Sequence, residues 1–165
     1  MMTRHLIIGV MGGGKATPDD IKTAYRMGSL IAKQGWVLLN GGRNSGIMDA
    51  SAKGASDNDG LTIGILPDEN YSRVSDYIKI PVLTGMGNAR NCINVLSSNI
   101  VVACPGKAGT LSEIALALKN NRIVILLDFG IGNAFDSYLE QGLLFYAKTP
   151  EQVIEKIKQI LESKF

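Results

Sequence analysis

At 165 residues the chain fits a single domain, residues 1–165, and 45% hydrophobic against 19% charged residues is the balance of a folded protein with a real core. A formal net charge of +2 gives no support to a nucleic-acid or membrane surface built on bulk electrostatics, so the expected partners are small molecules. Cys92 and Cys104 stand in apolar runs with neither CxxC spacing nor a histidine cluster, which reads as two reduced core residues with no metal site.

The first residues lead directly into a strand-like run with no leader or spanning pattern, so the expected location is the cytoplasm. Leu6-Ile7-Ile8-Gly9-Val10 is short and continuously apolar, the signature of a parallel strand covered on both faces. Gly12-Gly13-Gly14-Lys15 follows, and Thr17-Pro18-Asp19-Asp20 supplies an N-cap, a first-turn proline and two acids, predicting a helix to about Gln34 that Gly35 stops. Gly9 to Lys15 matches the G-x-x-x-x-G-K portion of a phosphate-binding P-loop. Ala16 occupies the magnesium-binding position, however, so the loop is read as a glycine-lined pocket wall, with Lys15 either reaching an anion or solvated.

Trp36 to Asn40 is a second strand, followed by Gly41-Gly42-Arg43-Asn44-Ser45-Gly46 and the helix-like Ile47 to Ala55. Arg43 offers a fork of donors suited to phosphate, or serves as a surface residue. Leu61 to Leu66 is a third strand. Asp68 to Asp76 is a polar loop, exposed or closing over the site, and Tyr77 to Val82 is an edge strand, because Pro81 cannot donate to a ladder. Thr84-Gly85-Met86-Gly87-Asn88-Ala89-Arg90-Asn91 leads into a helix ending near Ser98, with Cys92, Ile93, Val95 and Leu96 as its apolar stripe. Arg90 opposes the dipole of that helix, which implies an anion or an acidic partner such as Glu113.

Ile100 to Cys104 is another strand. Pro105-Gly106-Lys107-Ala108-Gly109-Thr110-Leu111-Ser112-Glu113 then forms a glycine loop and helix start, where free amides and the helix dipole favour an anion. Glu113 is either the acid of a Thr110-x-x-Glu113 capping box or a working carboxylate. Arg122 to Leu127 is a further strand, Phe129 to Gly142 is aperiodic, Leu144 to Tyr146 is a last short strand, and Thr149-Pro150-Glu151 opens a final amphipathic helix. His5 lies away from the glycine loops and is assigned no catalytic role. The sum is an α/β, Rossmann-like, doubly wound and mainly parallel sheet with helices on both faces. Its strand-end loops would hold a phosphorylated ligand. Thr17 stands where the third glycine of a G-x-G-x-x-G dinucleotide fingerprint belongs, which argues against a nicotinamide.

Gly41-Gly42-Arg43 with Gly46-Ile47-Met48, Gly85 to Asn91, and Pro105-Gly106 with Gly109 to Glu113 together resemble the lonely-guy-like (lysine-decarboxylase-like) Rossmann superfamily. Within it they are most similar to the molybdenum cofactor carrier proteins. That resemblance implies a non-catalytic protein that binds, protects and transfers molybdenum cofactor (molybdopterin), with no separate metal ion. The implied binding set is Gly12, Gly13, Gly14, Lys15, Gly41, Gly42, Arg43, Gly46, Met86, Asn88, Arg90, Asn91, Gly106, Lys107, Ala108, Gly109, Thr110 and Glu113. It further implies molybdoenzymes or cofactor-synthesis proteins as transfer partners, and a homodimer or homotetramer with Met86 to Ser98 and Thr149 to Phe165 as interface elements.

The alternative implied by the same resemblance is a nucleoside 5′-monophosphate (cytokinin-type) phosphoribohydrolase. Under it Arg90 and Glu113 are catalytic, Glu113 stabilising an oxocarbenium-like state or placing water, while Gly109 and Thr110 hold the phosphate. The hydrolase pattern has a lysine where this chain has Asn91 and a glycine where it has Lys107. The cation at 107 suits a ligand more negative than a simple monophosphate, or it points to solvent.

Overall fold

A computed structural model describes residues 4–163. Met1, Met2 and Thr3 ahead of the first strand and Lys164 and Phe165 of the expected last helix lie outside the described residues. Within them, seven strands run β1 Ile7–Met11, β2 Val37–Asn40, β3 Thr62–Leu66, β4 Ile80–Leu83, β5 Ile100–Ala103, β6 Ile123–Leu127 and β7 Leu144–Ala147. The helices are α1 Pro18–Lys33, α2 Gly46–Ser56, α3 Arg90–Ser97, α4 Ala108–Lys119, α5 Asp136–Glu140 and α6 Pro150–Glu162, with a 3-10 turn at Gly87–Ala89.

The strands form one parallel sheet in the order β4-β3-β2-β1-β5-β6-β7. Because side chains alternate along a strand, each apolar run feeds two cores. Ile8, Val10, Leu38, Val102 and Ile125 pack against α1, α2 and α6 through Met27, Ile31, Ile47, Val153 and Ile157. Met11, Leu39, Val101, Val124 and Leu126 pack the other way against Val95 of α3 and Ile114 and Leu118 of α4. The chain winds outward in one direction from β1 to β4 and in the other from β5 to β7, so order reverses between β1 and β5. A crevice opens there, at the carboxyl ends of the strands.

Local chemistry fixes the ends of these elements. The Thr17 hydroxyl accepts from the Asp20 amide while the Asp20 carboxylate accepts from the Thr17 amide, a complete capping box. Gly35, at φ +72°, turns the chain out of α1. The Thr149 hydroxyl accepts from the Gln152 amide to start α6.

Three elements depart from their sequence patterns. The aperiodic stretch after β6 contains α5, whose five residues are too few to carry a helical period. β4 is the expected edge strand, shifted to Ile80–Leu83. Helix α3 buries Arg90, Asn91, Asn94 and Val95, whereas Leu96 of the expected apolar stripe is 43% exposed. The buried face of α3 turns toward the crevice, which Arg90 and Asn91 line.

Candidate functional site

The crevice at the β1/β5 reversal has a volume of about 460 Å³. The β1 loop supplies Gly12, Gly13, Gly14 and Lys15, the β2 loop Gly41 and Ser45, the segment before α3 Asn88, α3 itself Arg90 and Asn91, and the β5 loop and α4 Lys107, Gly109, Thr110 and Glu113. Tertiary bonds lock the loops together: the Gly13 amide donates to Pro105 O at 3.0 Å and the Ile47 amide to Gly13 O at 3.0 Å. Gly46 sits at φ +55°, and a Cβ there would lie 2.2 Å from Gly13 O, so only glycine lets α2 begin against this loop. Gly106 abuts Thr110 in the same manner. Nothing lies within 4 Å of the Cβ position at Gly109, so the start of α4 is open toward a ligand.

Some expected residues have other work. Arg43 grips Asp68 through two bonds, Nη2 to Oδ1 at 3.0 Å and Nε to Oδ2 at 3.2 Å, and this pair holds the Asp68 carboxyl below its ordinary range. The Arg43 backbone also bridges to Val74, so the residue ties down the 68–76 loop outside the crevice lining. Gly42, at φ +77°, packs on Leu66 and Gly64. Gly42, Arg43, Gly46, Met86, Gly106 and Ala108 are not among the lining residues, although each adjoins one that is or abuts a lining loop.

Of the two readings of Glu113, the capping box with Thr110 does not form. Helix α4 begins at Ala108 behind Lys107, so Thr110 is already its third residue and buried, and the Glu113 carboxylate accepts from Asn94 Nδ2 at 3.0 Å. The P-loop spacing is likewise a packing accident. Gly9 lies inside β1, where a Cβ would meet Ser98 Oγ at 2.2 Å.

Arg90, only 9% exposed, donates from Nε to Ile65 O at 2.8 Å and from Nη1 to Asn91 Oδ1; Asn91 Nδ2 donates to Ser112 Oγ at 3.1 Å. A Cβ on Gly41 would stand 2.7 Å from Arg90 Nη2, so the absence of a side chain at 41 makes room for the guanidinium. Burial holds Arg90 below its ordinary value, opposed by the Glu113 charge. Glu113 is 7% exposed, and burial pushes its carboxyl up to about 7 against the opposing Asn94 bond and Arg90 charge. Val10, Met11, Ser45 and Met48 also line the crevice, and Asn94 orients Glu113 from behind. Sequence reasoning passed over all five. The signal for Asn94 was its i+4 spacing from Arg90, which stacks both on one face of α3.

Cys104 is in the core, where burial pushes its thiol up to about 12; Cys92 is half-buried, and neither lines the crevice. No group of three or more His, Cys, Asp or Glu among the described residues could hold a metal ion.

The pH dependence of stability follows from Glu113. Its value near 4.5 when unfolded rises to about 7 in the fold, so the contribution of its neutral form is complete below pH ~4.5 and fades as pH rises through ~7. Glu113→Gln mimics the neutral acid, and its stability relative to the parent is expected to increase by up to about 3 kcal/mol between pH 5 and pH 8.5. Urea unfolding at both pH values checks this, and a constant difference would contradict the buried-carboxylate account.

Fold and crevice together define a doubly wound, Rossmann-like α/β protein with the start of α4 and several cations facing one cleft. The model of the SLOG cluster4 family matches residues 5–154, and the chain belongs to that family. It is similar to the solved molybdenum cofactor binding protein of Rippkaea orientalis, with 53% identity and a TM-score of 0.91, covering 97% of this chain and 99% of that one. The molybdenum cofactor carrier protein of Chlamydomonas reinhardtii shares 42% identity at a TM-score of 0.88, covering 96% and 99%. A cytokinin riboside 5′-monophosphate phosphoribohydrolase of Mycobacterium marinum is 25% identical over 134 residues, 75% of this chain and 71% of its own. These likenesses place the chain where its motifs pointed, in the lonely-guy-like superfamily and nearer its cofactor carriers than its hydrolases.

Proposed function

We propose that this protein binds, protects and transfers molybdenum cofactor, with the β1/β5 crevice as its seat. The observation that carries the reading is the charge layout of the crevice. The open start of α4, with exposed Lys107 beside it and exposed Lys15 on the neighbouring loop, offers amides and cations to an anion, while Arg90 sits buried behind. Similarity over nearly the whole chain to proteins named for this cofactor adds support. A dianionic phosphate and the dithiolene and oxo oxygens of the metal end suit such a mouth better than a single monophosphate does.

Sequestration and transfer need no bond cleavage, so Arg90 and Glu113 act here as binding groups. The departures at Asn91 and Lys107 agree with that: Asn91 is tied to Arg90 and Ser112, leaving no lysine cation at 91. Transfer partners are molybdoenzymes or cofactor-synthesis proteins, met in the cytoplasm. Among the described residues no helix is long and apolar enough to cross a membrane. A homodimer or homotetramer is proposed through the α3 and α4 surface, where Met86, Leu96 and Leu111 are exposed. The stripe of α6 is already occupied by the protein's own core.

The test titrates purified protein with molybdenum cofactor, follows protection of the cofactor from oxidation, and in parallel looks for free base released from adenosine monophosphate and a cytokinin ribotide. Saturable binding with protection and no base release is the expected result. Base release that vanishes in Glu113→Ala would overturn the carrier reading in favour of the phosphoribohydrolase. Elution as a monomer at micromolar concentration would overturn the oligomer.

A further inference from the structure

The crevice is electrically two-ended, and its inner end is built for a donor. Arg90 and Asn94 stand one turn apart on α3 and face Glu113 of α4. Among the described residues the Glu113 carboxylate has one hydrogen-bond partner, Asn94 on Oε1, and no salt bridge to any cation. Oε2 accepts nothing, yet it is not among the sealed, unpartnered buried atoms, so it opens to the crevice that Glu113 lines. Arg90 has its Nε and Nη1 engaged, which leaves Nη2, lodged over Gly41, as a free donor on the same floor. Asn94 Oδ1 is buried without a partner, a further polar atom on this face of α3.

An anionic ligand end placed here would meet a carboxylate. A flat heterocycle with adjacent N–H donors would satisfy it, since a carboxylate takes two parallel N–H bonds from a planar fork. We propose that Glu113 receives the ring N–H and 2-amino group of a 2-amino-4-oxopyrimidine edge, as in a pterin, with Arg90 Nη2 donating to the neighbouring oxo group. The bound ligand is thereby oriented ring-inward, its phosphate and metal-binding end at the mouth under Lys15, Lys107 and the start of α4. This orientation rests on the carrier reading above and specifies its ligand geometry. It leaves the reactive end nearest solvent, where a recipient protein can reach it. Guanine shares the same edge, so the recognised chemistry is common to pterins and guanine nucleotides.

The experiment uses neopterin monophosphate and its lumazine counterpart, in which an oxo group replaces the 2-amino group, each titrated by fluorescence into the full chain. GMP and IMP, which differ by the same amino group, and pyrophosphate complete the set. The parent protein is expected to prefer the pterin over the lumazine by about 10-fold or more, the scale of hydrogen bonds to a charged group. Glu113→Gln should abolish that preference, weaken pterin binding about 10-fold, and strengthen pyrophosphate binding because a nearby negative charge is gone.

Equal affinity of the parent protein for pterin and lumazine would overturn the orientation while leaving the carrier reading standing, and it needs no variant to fold. Preference for GMP over IMP with no pterin binding would keep the Glu113 assignment but overturn the cofactor reading. Retention of the pterin preference in a folded Glu113→Gln protein would overturn the role of Glu113.

Discussion

Arg90→Ala is expected to lower the unfolding free energy by about 2–4 kcal/mol and to abolish measurable cofactor binding. The stability loss has two sources. The Ile65 carbonyl loses its Nε donor, and an unpaired buried acceptor costs about 1–3 kcal/mol. The guanidinium stem also leaves a void behind a residue only 9% exposed. Removing the cation raises the Glu113 carboxyl further, because the Arg90 charge opposes the burial shift. Glu113 then becomes neutral at pH 7, so no naked buried charge adds to the cost, and the loss stays below that of breaking a buried ion pair. For a chain of this size the corresponding fall in melting temperature is roughly 5–15 °C. Thermal melts with parallel cofactor titration check both halves, and a variant that melts like the parent yet fails to bind would show that Arg90 serves the ligand alone.

Gly28→Ala is expected to destabilise the fold by about 3 kcal/mol or more, and Gly54→Ala similarly. Helices α1 and α2 cross with their backbones in contact. A Cβ at Gly28 would lie 1.9 Å from Ser51 O and one at Gly54 would lie 1.9 Å from Tyr25 O. Both obstacles are main-chain atoms, so no rotamer change relieves them and the helices must separate. Alanine is the better helix former by up to about 1 kcal/mol, a gain the clash outweighs. Because α2 begins against the Gly13 loop, separation also shifts Ser45 and Gly46 at the crevice wall. Denaturant unfolding gives the magnitude. A variant as stable as the parent would contradict the packing account.

Alternation of apolar strands with capped helices made the doubly wound architecture legible, since local signals such as Thr17-Pro18-Asp19-Asp20 and continuous runs such as Ile100 to Cys104 act without tertiary help. The glycine clusters located the crevice loops for the same reason, because each follows a strand and must gather at one sheet edge. Arg43 was left between anion ligand and surface residue because its partner Asp68 lies 25 residues away, a pairing that sequence spacing does not encode. Glu113 was left between cap and working carboxylate because a helix start shifts by two residues without altering the motif. Asn94 and the inward turn of the polar face of α3 were missed because periodicity assumes that apolar residues face the core.

The sequence by itself determined the fold class, the order of elements and the three loops from which the crevice is made, because these depend on residue type at short range. Only the tertiary structure decided which charges meet. It joined Arg43 to Asp68, seated Arg90 over Gly41, and buried Glu113 with a single partner. Burial and electrostatic coupling belong to distances across the fold, and no stretch of chain contains them.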